Sequence, residues 1–176
     1  GRAHVGADDN ASGTAAVLAI AGTIAKLPVR QGHVLLALWS AEEIGLIGSN
    51  EFVKAATGAG NGGPAVGDIA AYLNFDMVGR MQDNKLAVQA AGTSPVWASI
   101  LERANVAAGF DLAVQADPYQ PTEVATINQA EVPSLSFTTG AHIDYHKPSD
   151  TAEKINYEDL DRVADVATAI TRRLME

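Results

Sequence analysis

His33-Val34-Leu35-Leu36-Ala37-Leu38-Trp39, followed at once by Ser40-Ala41-Glu42-Glu43, is the stretch on which the fold reading turns. Six consecutive apolar residues with no polar alternation read as a strand buried on both faces, the pattern of a parallel sheet covered by helices. Two adjacent carboxylates then stand where that strand ends. In open α/β sheets, ligands bind just outside the carboxyl ends of strands. Carboxylates in such a place are costly unless something positive meets them. One glutamate can hold a metal while the other moves a proton.

The rest of the chain follows the same alternation. Asn10 can cap a helix reaching about Leu27, with Val17, Ile20, Ala21, Ile24 and Leu27 at helical spacing and Pro28 as its stop. A short helix is expected near Leu46–Ala55, then a Gly-rich surface loop, Thr57–Pro64. Further strands are expected at Ile69–Phe75, Lys85–Ala90, Leu112–Gln115 and Val132–Phe137. Helices are expected near Pro95–Ala108 and Val124–Ala130, with Asp117–Pro121 as a loop between. A last helix starts near Tyr157, with Leu160, Val163, Ala164, Ala167, Ile170 and Leu174 on one face. Helices alternating with apolar strands predict an α/β, three-layer sandwich with a central mixed, mostly parallel β-sheet flanked by helices.

Bulk properties narrow the class. A chain of 176 residues, 47% hydrophobic, is one domain able to bury a real core. A net charge of −9 excludes the basic surface that nucleic acid demands and fits poorly with an anionic membrane. Cysteine is absent, so disulfides and thiolate zinc sites are excluded. No apolar stretch is long enough to span a bilayer.

Four segments carry candidate ligands beside strands or helices: Gly6-Ala-Asp8-Asp9-Asn10-Ala-Ser-Gly13, Ser40-Ala-Glu42-Glu43, Asn74-Phe-Asp76, and His142-Ile-Asp144-Tyr145-His146-Lys-Pro-Ser-Asp150. Each has a plain structural reading. Asp-Asp-Asn before a helix is ordinarily a cap. Glu-Glu can be the acidic first turn of a helix, a strand-end Asp a turn residue, and the histidines ordinary loop residues. Their joint occurrence at strand ends points instead to a metal held by carboxylates and imidazole, a donor set suited to zinc, cobalt or manganese.

Together these motifs resemble, in matching order from Gly6 to about Tyr157, the secreted bacterial di-zinc aminopeptidases. Their clan also holds glutamate carboxypeptidases, glutaminyl cyclases and the transferrin-receptor ectodomain. The resemblance implies a zinc-dependent aminopeptidase acting on peptides, secreted or periplasmic. Asp8 would bridge two zinc ions across a cis Asp8–Asp9 peptide, and Glu43 and His146 would complete one site. Asp76 would bind the second zinc, Glu42 would be the general base, and Tyr145 would stabilise the oxyanion. A histidine in an upstream His-x-Asp segment, the family's first zinc ligand, has no counterpart here; His4 is a weak substitute. The expectation is therefore a single, N-terminally truncated catalytic domain over 1–176. It lacks the family's first strands, has an incomplete second zinc site, is inactive alone, and has the missing N-terminal segment as a partner. Glutaminyl cyclase or carboxypeptidase chemistry, or an inactive binding module, are the competing readings. Thr122-Glu123 departs from the Thr/Ser-Asp of relatives in a region on the substrate side. His142 and Asp144 are expected near the pocket, His33 is expected to be structural, and Asp150 either bonds around the His146 loop or caps a turn.

Overall fold

A computed structural model describes residues 3–28, 31–57 and 64–176. Its elements in chain order are α1 (Gly13–Ile24), α2 (Ile47–Thr57), β1 (Tyr72–Phe75), β2 (Lys85–Gln89), α3 (Trp97–Ala108), β3 (Asp111–Val114), α4 (Glu123–Gln129), β4 (Ser134–Thr138) and α5 (Tyr157–Leu174). An irregular turn, Ala7–Ser12, leads into α1. Most of the expected Gly-rich loop, residues 58–63, lies outside the described residues.

The four strands form one sheet in the order β1-β4-β2-β3. β1 runs parallel to β4 and β2 parallel to β3, while β2 and β4 are antiparallel. The sheet is thus mixed and mostly parallel, as the alternation of elements predicts. Side chains alternate across it. Leu135 and Phe137 of β4 join Phe75, Leu86 and Val88 in the main core with Ala16, Ile20, Trp97 and the apolar face of α5. Phe75 and Phe137 stack with centroids 5.3 Å apart. The other side of β1 and β4 carries Asn74, Ser134 and Ser136, all buried, and α4 packs against these two strands. Helix α5 packs on both α1 and α3; of its predicted stripe, Leu160, Val163, Ala164, Ala167 and Ile170 are buried and Leu174 is half-buried. Asn156 caps this helix by accepting from Asp159 N at 3.2 Å.

One expectation is corrected. Residues 33–39 pair with no strand among the described residues, and Leu35 and Leu38 are 57% and 60% exposed. The segment faces the outer edge of β1 across a cavity of about 930 Å³. Its anchor is Trp39, whose ring lies 5.2 Å from that of Phe52 and whose Nε1 donates to Tyr72 Oη at 3.1 Å. Tyr72 donates in turn to Asn74, which donates to Ser136. An apolar run has the side chains of a buried strand, but it becomes one only where a neighbour accepts its backbone hydrogen bonds.

The helix expected from Asn10 begins three residues later, and Asn10 still governs its start. Asn10 Oδ1 accepts from Gly13 N at 3.0 Å while its Nδ2 donates to Phe75 O at 2.9 Å. Gly13 is squeezed between these groups: a Cβ there would lie 2.2 Å from Phe75 O and 2.4 Å from Asn10 Oδ1. Gly13→Ala is expected to cost about 1–3 kcal/mol of stability through this overpacking; urea unfolding measures it, and an unchanged midpoint would refute the tight contact.

Candidate active site

Four loops converge at one end of the sheet. In the Ser40–Gly48 loop, Ala41 adopts φ 58°. Gly45 N and Leu46 N both donate to Glu42 O, and Gly48 N donates to Ser40 O. These bonds lock Glu42 and Glu43 at the entry to α2. Asp76 follows the last residue of β1, its N donating to Phe137 O at 3.2 Å, and the next residue, Met77, has φ 56°. His146 has φ 55° within consecutive turns in which Tyr145 N donates to His142 O and Lys147 N to Asp144 O. Non-glycine residues in the left-handed region cost energy and persist where surrounding contacts over-determine them. Ala41 and Met77 adjoin candidate residues, and His146 is itself a candidate ligand.

His146 Nε2 lies 2.8 Å from Glu43 Oε1 and 3.0 Å from Asp9 Oδ2. One donor atom from each of Asp9, Glu43 and His146 falls within 4.8 Å of the others, an arrangement able to hold a metal ion. Two carboxylates and an imidazole, without thiolate, match a catalytic zinc site with a position left open. Tyr145 stacks beside His146 with ring centroids 3.8 Å apart. Glu42 and Asp76 line the same cavity as Asp9 and Glu43.

Asp8 does something else, and the assignment shifts by one residue. Its side chain is fully buried and turned inward, accepting from Gly79 N at 2.7 Å and lying 3.0 Å from His142 Nε2. Asp9 is the member of the pair that reaches Glu43 and His146. The cis peptide is correspondingly Asp9–Asn10 rather than Asp8–Asp9. His4 is exposed and lies outside the three-donor group found among the described residues. Asp144 is held by Arg80 at 3.1 Å and Lys154 at 2.7 Å. Hydrogen bonds from Lys154, Ser149 and Arg80 keep its carboxyl well below the usual carboxylate range.

The Asp150 side chain does neither of the two things expected of it and instead holds the turn before α1. Its buried carboxylate accepts from Asp8 N at 3.1 and 3.0 Å and from Asp9 N at 3.1 Å. Ala7 N donates to its backbone carbonyl at 3.2 Å. A residue 141 positions away in sequence therefore sets the direction in which Asp9 points.

Burial and mutual repulsion dominate the electrostatics. Desolvation, then the charges of Asp9, Glu42, Glu43 and Asp8, push the Asp76 carboxyl from its ordinary 3.8 up to about 7. Desolvation and Glu43 raise Asp9; desolvation, Glu123 and Glu43 raise Glu42. Tyr145 is raised by desolvation and by Asp9 and Glu43. Such crowding of acids is relieved by a bound cation.

Two outcomes follow. Asp150→Ala leaves the Asp8 and Asp9 amides without their acceptor and should lower stability by at least about 2 kcal/mol in urea unfolding; an unchanged midpoint would show that the clamp is dispensable. In metal-free protein, Asp76 keeps its proton when folded at pH values where the unfolded chain has lost it. Its contribution is complete below the unfolded value of 3.8 and is lost as pH rises through about 7. The melting temperature of chelator-treated protein should therefore fall between about pH 5 and about pH 8, and Asp76→Asn should flatten that fall. A fall of the same size in Asp76→Asn would assign it to other groups.

The family model described as peptidase family M28 matches residues 1–171. A probable lipoprotein aminopeptidase of Mycobacterium tuberculosis is 44% identical over 73 residues, covering 42% of this chain and 14% of the relative. An aminopeptidase of Pseudomonas aeruginosa is 47% identical over 76 residues, covering 42% of this chain and 13% of the relative. The crystal structure of a zinc aminopeptidase from Bacillus subtilis superposes with a TM-score of 0.81 at 25% identity, over 97% of this chain and 42% of that one. The chain thus spans less than half the length of each. With the family model matching nearly end to end and the same α/β architecture in the solved relative, the chain belongs to peptidase family M28.

Proposed function

We propose that the protein is a zinc-dependent aminopeptidase that removes N-terminal residues from peptides. The observation that carries this reading is the meeting of Asp9, Glu43 and His146 within reach of one ion, at the cavity mouth that Glu42 and Asp76 also line. The aminopeptidase names of the relatives support it. Asp9, Glu43 and His146 would hold one zinc. Asp76, which lines the same cavity, would be a donor to a second, and Asp9 takes the place expected of Asp8. Zinc bound there supplies Lewis acidity and acidifies water.

The chain's own residues carry the proton traffic. Glu42, raised by burial and then by Glu123 and Glu43, lines the cavity beside the donor group and is the base that takes a proton from water and passes it to the leaving amine. Tyr145, stacked on His146, offers its phenol as a donor to the oxygen of the scissile carbonyl. Peptides are the substrates. A secreted or periplasmic location is supported by the relative described as a lipoprotein, and among the described residues no helix is long and apolar enough to cross a membrane.

The test uses the full-length protein and a leucyl p-nitroanilide. Chelation should abolish release of the chromophore and zinc should restore it. Glu42→Gln should lower kcat by roughly 10²–10⁴-fold with zinc content unchanged. Chelator-insensitive turnover, or full activity in Glu42→Gln, would sink the mechanism. Faster conversion of a glutaminyl peptide or an N-blocked acidic peptide would replace the substrate reading with cyclase or carboxypeptidase action.

A further inference from the structure

Two inward-facing polar residues of the loop after β4, His142 and Asp144, take no part in the proposed chemistry. The loop alternates around them. The His142 side chain is only 4% exposed and Asp144 is buried, while Ile143 and Tyr145 are 82% and 42% exposed. The inward pair reaches other segments. His142 Nε2 lies 3.0 Å from Asp8 Oδ2. Asp144 accepts from Arg80 Nη2 at 3.1 Å and from Lys154 Nζ at 2.7 Å. The other Asp8 oxygen accepts from Gly79 N at 2.7 Å, and a Cβ at Gly79 would lie 2.9 Å from it. His142, Asp8, Gly79, Arg80 and Asp144 thus close a ring of contacts. It joins the turn before α1, the segment after β1 and the loop after β4.

This ring holds a buried counterpart of the metal-compatible group. Asp8 adjoins Asp9, and His142 stands four residues before His146. The inner pair, Asp8 Oδ2 and His142 Nε2, is 3.0 Å apart, and so is the outer pair, Asp9 Oδ2 and His146 Nε2. The outer imidazole is 47% exposed and open to an ion, whereas the inner one is sealed. A carboxylate oxygen accepts, so His142 Nε2 donates. His142 Nδ1 is buried without a partner, which leaves Asp8 as the only hydrogen-bond partner of this imidazole among the described residues. Two turns carry the placement of His142 onward: Tyr145 N donates to His142 O and Lys147 N to Asp144 O, each at 3.0 Å. Buried polar pairs add little net stability, and in some systems they fix one arrangement. Arrangement is what a metal site needs, since its donors must be held to within roughly 0.5 Å.

We propose that His142 is a positioning residue for the zinc ligands: its hydrogen bond to Asp8 sets the placement in which Asp9 meets His146. The inference rests on the metal reading above and extends it to an imidazole outside the donor group. Held by Asp8, His142 fixes the loop from which Tyr145 and His146 project. Held by His142, Asp8 stays inward and leaves Asp9 turned to the cavity. Removing the imidazole leaves an Asp8 oxygen buried without its donor. The turn and the loop are then free to part, and Asp9 and His146 part with them.

The test is zinc binding by the full-length protein, stripped of metal and titrated in competition with a chromophoric chelator below its melting temperature. His142→Ala should raise the zinc Kd roughly 10- to 100-fold. His142→Gln puts an amide donor where Nε2 stands and should keep the Kd near the wild-type value. A packing role alone would lower the melting temperature of both variants and leave both Kd values unchanged, which overturns the proposal. Equal loss of affinity in His142→Gln and His142→Ala overturns it too, because the donor would then not matter. If His142→Ala does not fold, His142→Asn takes its place. The shorter amide stands where Nδ1 does, misses Asp8, and should show the same rise in Kd; an unchanged value overturns the proposal. Wild-type protein that binds no zinc defeats the metal reading itself. Normal wild-type binding with unchanged variants defeats the role of His142 alone.

Discussion

The rest of the site depends on a carboxylate buried behind it. Asp8 is sealed from solvent and accepts from Gly79 N while lying against His142. Its own amide and that of Asp9 donate to Asp150. These contacts tie the turn before α1 to the segment after β1 and to the loop after β4. A buried charge left without such partners would cost several kcal/mol, so the three segments are held in one relative placement. With Asp8 pinned inward, the next residue is directed outward, and Asp9 meets Glu43 and His146. The adjacent acids divide their work by direction: one anchors and one faces the cavity.

The same logic of opposed demands shapes the electrostatics. Asp9, Glu42, Asp76 and Glu123 are all raised, each first by desolvation and then by its acidic neighbours. A fold that gathers acids at one cavity stores repulsion unless cations arrive there. The left-handed conformations at Ala41, Met77 and His146 point the same way. Backbone cost is accepted where side chains must converge, and it is compensated by the packed sheet beneath, with Leu135, Leu86 and Val88 fully buried.

Much of this was legible in the residues. Lys85–Gln89, Trp97–Ala108, Asp111–Val114 and the helix from Tyr157 lie close to where periodicity places them, because each satisfies its own pattern locally. The segment at 33–39 failed for the opposite reason. Val34–Leu38 have the side chains of a central strand, but pairing is a property of two segments, and no described neighbour supplies the second. The site shows the same division. Glu42, Glu43, Asp76 and His146 were visible as acids and imidazole at strand ends. Asp8 and Asp9 are adjacent and chemically identical, so residue type alone could not separate them. The grip of Asp150 on their amides had no local signature.

Residue order and type alone therefore established the α/β class, most element positions, and a carboxylate–imidazole set suited to a metal, because hydrophobic period and donor chemistry are written in single residues and their spacing. Which aspartate faces the cavity and which apolar segment finds a partner strand were decided by contacts between segments up to 142 residues apart. Those contacts depend on direction and burial, and neither exists until the chain has folded.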